Sequence, residues 1–272
     1  MGIGAINNTT AFDVYKDYVN ADNALKKNMS DLSSGRKGVG DDPAGVSISE
    51  RMKTTIEGTS MARQNVQNGI SVMRTADGWM QQMNDILVRM KELSVEAVDD
   101  TKSSQDRSNL QTEFKQMQDE LQRIVDSAKF NGKNLLDGNL SGAKLQIGPS
   151  TGETLTINVT DMNAVISGAI ASGTTVSTVA GASAAIGAIQ SAVDLVSEQR
   201  AELGGQMSRM ETTIGGLLDY ESNIQAAESK IRDVDMAKAA TEKAENQALT
   251  QVGNAMLTQA NQLPSQVVQL LR

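Results

Sequence analysis

The chain has 272 residues, a formal net charge of -8, and neither histidine nor cysteine. That removes any imidazole base, imidazole or thiolate metal ligand and thiol nucleophile, and the acidic balance without a Lys/Arg stripe argues against nucleic acid or anionic lipid as a main partner. Only 3% of residues are aromatic and prolines fall only at 43, 149 and 264, which favours long, thin packing by Ala, Leu, Ile and Met over a compact globe.

The N-terminal stretch Met1 to Val19 has no basic start and no apolar run before a small-residue cleavage site, so no conventional secretory signal is expected. From there Val14, Tyr18, Ala21, Leu25, Asn28 and Leu32 step by four and three, the seam of a first heptad helix. Asn28 is read either as a register-setting polar seam residue or as the neighbour of a core slot for Met29. Three glycines between Gly35 and Gly40 break the pattern, and no strand precedes them, so they do not form a phosphate-binding loop. Asp42 and Pro43 restart a helix as cap and first residue.

The second helix is expected from Pro43 to about Val98, roughly 80 Å at ~1.5 Å per residue. Its seam is Ala62, Val66, Gly69, Met73, Ala76, Met80, Met83, Leu87 and Met90, apolar except for one glycine. A helix with such a seam needs a partner. Ser103 and Asp106 have the spacing of a capping box, and Leu110, Phe114, Met117, Leu121, Ile124 and Ala128 form the next seam, ended by Asn131-Gly132. A short polar turn between these two helices predicts an antiparallel pair.

The centre changes period. Leu145 and Ile147, then Leu155, Ile157 and Val159, alternate with polar residues around a Pro149 to Gly152 turn, predicting a small β-hairpin at about 144–160. Asn163 to Ala185, mainly Ala, Ser, Gly, Thr and Val, reads as a surface connection with room for one short helix. From Ile186 a long heptad helix carries Ile189, Val193, Val196, Leu203, Met207, Met210, Ile214, Leu217, Ile224 and Ile231, interrupted by Arg200, Glu221 and Glu228. Gly204-Gly205 and Gly215-Gly216 are read either as points of close approach or as soft spots.

After Glu245 the only charged side chain is Arg272, yet Leu249, Val252, Met256, Ala260, Leu263, Val267 and Leu270 trace an apolar face against one of Gln and Asn. An uncharged polar face lets identical copies pack without accumulating like charge, which points to polymerisation. Pro264 predicts a kink or a helix end near Gln262.

The chain resembles bacterial flagellins. The resemblance is carried by Leu32-Ser-Ser-Gly35 with Arg36, Asp41-Asp42-Pro-Ala-Gly45 with Ile48-Ser49, Phe130-Asn-Gly132, Arg232-Asp-Val-Asp235, and Ala260-Asn-Gln-Leu-Pro264 leading to Leu270-Leu-Arg272. It implies a mainly α fold, a long antiparallel helical bundle with a small central β-hairpin and the two chain termini paired as a coiled coil. The expected domains are 1–42 and 235–272 as halves of an inner core and 43–234 as an outer core bundle, with no large outer domain.

The implied role is a structural subunit, not an enzyme, that needs no cofactor or metal and polymerises with itself. Terminal-helix residues Val14, Tyr18, Leu25, Leu32, Leu249, Val252, Met256, Leu263, Val267 and Leu270 are the expected subunit interface. Both terminal segments are expected to be disordered in the monomer. The resemblance further implies type III export without a cleaved signal and without membrane insertion, to an extracellular flagellum or, in a spirochaete, the periplasm. Implied partners are an export chaperone, the hook-filament junction and cap proteins, and a host flagellin-sensing Toll-like receptor through Arg89, Leu93 and Glu113. A hook-filament junction protein and, more distantly, a non-flagellar coiled-coil scaffold or adhesin are the alternatives.

Overall fold

The computed structural model describes residues 9–40, 42–170 and 174–270, without the side chains of 170 and 263–270. Among the described residues are six helices and two antiparallel strand pairs: α1 (Thr9–Ser34), α2 (Pro43–Val98), α3 (Ser104–Ser127), β1 (Lys129–Phe130), β2 (Lys133–Asn134), β3 (Ala143–Gln146), β4 (Thr154–Ile157), α4 (Met162–Ile170), α5 (Val179–Arg232) and α6 (Met236–Leu270). They form two compact units, one of residues 55–222 and one of 1–54 with 223–272.

In the unit of 55–222 the α2 seam is the core. Val66, Met73, Ala76, Met80, Met83, Leu87 and Met90 are fully buried, together with Phe114 and Leu121 of α3 and Ile189, Val196, Leu203 and Met210 of α5. The α5 residues recur every seventh position, the spacing that keeps one face on a neighbour. Two of the charged interruptions in that heptad pattern reach back to α2 in antiparallel sense. Arg200 Nε donates to Asp77 Oδ1 at 2.7 Å, and Glu221 faces Arg63 at 3.8 Å.

Gly69, the one small residue of the seam, seats the β-hairpin: a Cβ there would lie 2.7 Å from Leu145 Cδ2. The hairpin register pairs Leu145 with Leu155 and Gln146 with Thr154, and turns Leu155 and Ile157 inward. By contrast, nothing lies within 4 Å of a Cβ built on Gly204, Gly205, Gly215 or Gly216, so these are not points of close approach.

The α2–α3 turn is held at both ends. Arg107 donates to the carbonyls of Ala97 and Asp99 at 2.9 and 3.0 Å, covering the end of α2. The expected capping box opens α3: the Asp106 amide donates to Ser103 Oγ at 3.2 Å, and the Ser103 amide to Asp106 Oδ2 at 3.0 Å. Hydrogen bonds from the Ser103 hydroxyl and amide hold the Asp106 carboxyl below its ordinary value. Ser103→Ala is expected to lower unfolding stability by about 1 kcal/mol, with Ser104→Ala as the near-neutral control in denaturant melts. The Asp106 contribution is present above pH 3.8 and is lost as pH falls through the lower value it has when folded.

Three features differ from the sequence-based expectation. The segment 163–185 holds the one short helix expected there, α4, but among its described residues it is more than a surface connection: Ile166, Ala169, Val176 and Ala182 are fully buried, as is Met162 just before it. Gln118 and Gln111 of α3 satisfy the backbone around them at Ala169 and Val176, at 3.0 and 2.6 Å. Thr178 caps α5, accepting from the Gly181 amide at 3.1 Å, so this helix starts earlier than Ile186. Beyond the end of α3, Asn131 and Gly132 both take positive φ, 48° and 78°, and form the tight turn of the β1–β2 pair. An 18-residue window of α5 is apolar enough to cross a membrane by length and composition, but the helix's large side chains at 189, 196 and 203 are the core just described.

In the second unit Gly35, at φ 68°, closes α1 in the left-handed conformation, its amide donating to Asp31 at 2.8 Å. The chain then pairs with the α5–α6 junction. Lys37 N donates to Arg232 O at 2.8 Å, and Val234 N to Gly35 O at 3.1 Å. Asp42 caps α2 through the Gly45 amide at 2.8 Å, and Asp235 caps α6 through Ala237 and Lys238. Ser49 of α2 donates to the buried Glu228 of α5 at 2.7 Å, and Arg232 reaches Glu50 at 3.2 Å. These cross-links draw the first turns of α2 and the last turns of α5 into this unit.

Candidate functional site

The long helices α1 and α6 pack against each other antiparallel, with Tyr18 over Gly253 at one level and Asn28 near Ala239 at another. On α1 the inward face is the expected seam. Ala21 and Asn28 are buried, and Val14, Tyr18, Leu25 and Leu32 are half-buried. Asn28 rather than Met29 fills the seam, since Met29 is half exposed.

On α6 the inward face is a different one from the large apolar stripe. Ala239, Asn246, Gly253 and Ala260, spaced by seven, face α1 with Leu257 beside them. A Cβ on Gly253 would stand 3.3 Å from the Tyr18 ring and 3.4 Å from its Cβ, so glycine lets the helices approach closely. Of these only Ala260 belongs to the apolar face expected from hydropathy; the seven-residue repeat of Ala239, Asn246, Gly253 and Ala260 was the signal for the inward face.

The larger residues are consequently turned outward. Leu249, Val252 and Met256 are 50%, 59% and 52% exposed. With Val14, Tyr18 and Ala21 they line a groove of about 570 Å³ along the α1–α6 pair. Phe12 and Tyr15 of α1 add exposed rings. Leu263, Val267 and Leu270, expected on the same face, have side chains outside the described residues, and α6 itself is helical through Leu270, so no helix end lies near Gln262. Pro264 withholds one donor from the ladder and the helix continues past it.

A second group expected from sequence lies at the other end of α2. Arg89 Nη2 and Nε donate to Glu113 Oε1 at 2.7 and 3.0 Å, and Nη1 donates to Glu92 Oε2 at 3.0 Å. These bonds, the one to Glu113 foremost, raise the guanidinium further above its ordinary value. Leu93 sits beneath, 1% exposed: it closes the α2 seam, whereas the longer Arg89 chain carries its charge out to solvent. The structure therefore places Arg89 and Glu113 together on the surface and Leu93 in the core. Among the described residues no three His, Cys, Asp or Glu side chains are grouped to hold a metal ion.

Comparison with known proteins matches residues 6–141 to the bacterial flagellin N-terminal helical region and residues 186–271 to the bacterial flagellin C-terminal helical region. The flagellin of Halalkalibacterium halodurans is 42% identical over 254 residues, covering 92% of this chain and 93% of that protein. The flagellar filament 33 kDa core protein of Treponema phagedenis is 36% identical over 282 residues, covering 98% of this chain and 99% of that protein. The crystal structure of Bacillus cereus flagellin superposes with a TM-score of 0.52 at 26% identity, covering 61% of this chain and 94% of that one.

Proposed function

The chain belongs to the bacterial flagellin family and is a subunit of the flagellar filament, and from that premise we propose that copies join through the outward face of α6 and its groove with α1. The observation that carries this reading is the exposure of Leu249, Val252 and Met256 side by side on a helix whose opposite side is already packed. A contiguous apolar patch of this kind is unfavourable in water and favourable once a second copy covers it. Val14, Tyr18, Leu25 and Leu32 set α1 against α6 beside that face, while Leu263, Val267 and Leu270 continue its spacing along the sequence. In this reading residues 1–42 and 235–272 are the inner core and 43–234 the outer core.

Neither α1 nor α6 owns a core of its own, so both are disordered in the monomer and order on joining the filament. Amide exchange tests this. Fast exchange across α1 and α6 below the assembly concentration and slow exchange in the filament are expected; slow exchange in both states refutes the reading. Disordered ends also suit passage, unfolded and without a cleaved signal, through a flagellar type III apparatus. A chaperone that covers the apolar stripe of α6 before export serves the same need. The junction and cap proteins then meet the filament at its ends, outside the cell or in a spirochaete periplasm.

A host flagellin-sensing Toll-like receptor is a further partner of this reading, through the Arg89–Glu113 pair with Leu93 supporting it from beneath. Arg89→Ala is expected to reduce signalling in a receptor reporter assay about tenfold or more, while leaving the helix content of the chain unchanged. An unaltered dose response removes the site.

A further inference from the structure

We propose that Met256 is an oxidation site whose sulfoxide stops subunit addition; the inference rests on the assembly face described above. The chain contains fourteen methionines and no cysteine, so thioethers are its only sulfur. Met73, Met80, Met83, Met90, Met162 and Met210 are fully buried in the core of 55–222 and shielded from solutes. Met29, Met61, Met236 and Met256 are about half exposed, and of these only Met256 lines the α1–α6 groove. Its sulfur is thus open to solvent in the free subunit and covered in the polymer.

The chemistry needs only a peroxide. A lone pair of the Met256 sulfur attacks one peroxide oxygen, the O–O bond breaks as the S–O bond forms, and after proton transfer the peroxide leaves as water. Sulfur is oxidised by two electrons and the peroxide is reduced by two. The product is polar and a strong hydrogen-bond acceptor, where the thioether was apolar and adaptable. Beside Leu249, Val252, Val14 and Ala21 the new oxygen loses its water on assembly and meets apolar groups, so an oxidised copy binds weakly. Subunits already assembled are protected, so oxidation acts on growth and not on the standing filament.

Full-length protein treated with hydrogen peroxide tests this by peptide mass spectrometry and by elongation of filament seeds. In the monomer Met256 gains one oxygen as fast as exposed Met61 and well ahead of buried Met80, while in filaments Met256 is spared. Elongation by treated subunits falls about tenfold or more and recovers after incubation with methionine sulfoxide reductase and its reductant. Met256→Leu keeps the volume and apolar character, and its elongation, read against its own untreated sample, is retained after peroxide. The inference is overturned if Met256→Leu loses elongation to peroxide as the natural chain does, since the lesion then lies elsewhere, or if Met256 oxidises equally fast in filaments. Untreated Val252→Asp separates the two levels of the argument. Normal elongation by that variant refutes the assembly face itself, whereas its failure together with a peroxide-sensitive Met256→Leu refutes only the role of Met256.

Discussion

Seeds offered subunits carrying Val252→Asp fail to elongate. Val252 is 59% exposed in the groove beside α1, so a carboxylate there stays hydrated in the free subunit, and Gly253, where α6 approaches Tyr18, is unchanged. Between copies the same carboxylate is stripped of water among Leu249, Met256 and the apolar residues of a neighbour. Burying an unpaired carboxylate costs several kcal/mol, so subunit affinity falls roughly a hundredfold or more. Every added copy meets the same penalty, and growth stops instead of slowing. Val252→Thr nearly conserves the shape without the charge and loses only a few-fold. Turbidity or electron microscopy of seeded reactions reads the effect, with circular dichroism to confirm unchanged helix content. Elongation of Val252→Asp at the natural rate rules this face out.

The largest stability effect is expected at Phe114→Ala. Phe114 is fully buried where α3 meets the α2 seam, and it is among the largest of the fully buried side chains. Truncation removes its burial and leaves a cavity that the surrounding Met and Leu side chains only partly fill, at about 3–5 kcal/mol. For a unit of this size each kcal/mol lowers the melting temperature by roughly 2–4 °C, so a fall on the order of 10 °C is expected by calorimetry of the full chain. Val88→Ala, on a half-exposed position of the same helix bundle, is the control and moves the transition by little more than a degree. An unshifted transition for Phe114→Ala shows that α3 is not integral to the core.

The two variants probe the two kinds of information the chain carries. For α2 the reading from sequence was nearly complete: Asp42 and Pro43 start it, the seam from Ala62 to Met90 faces inward throughout, and the helix spans Pro43–Val98 as expected. For the Ser103 cap and the β3–β4 hairpin local chemistry was equally sufficient. The segment 163–185 reads as a connection because its apolar residues are scattered among Gly, Ser and Thr, yet Ile166, Ala169 and Val176 are buried, with Gln118 and Gln111 of α3 satisfying the backbone at Ala169 and Val176. Leu93 was grouped with Arg89 and Glu113 through the family resemblance, and membership of one motif does not say how far each side chain reaches.

By itself, then, the sequence determined α1, α2, α3 and α6, the Asp42 and Ser103 caps, the β3–β4 hairpin and the family, because these depend on local periodicity, turn chemistry and motifs contiguous in the chain. Tertiary structure alone decided which face of α6 turns inward. Two adjacent seams were on offer, one of large apolar residues through Leu249, Val252 and Met256 and one of small residues through Ala239, Gly253 and Ala260. Hydropathy favours the first, but close approach of α6 to Tyr18 on α1 is possible only over Gly253. That steric fit between segments from opposite ends of the chain left the large residues outward, where another copy can cover them.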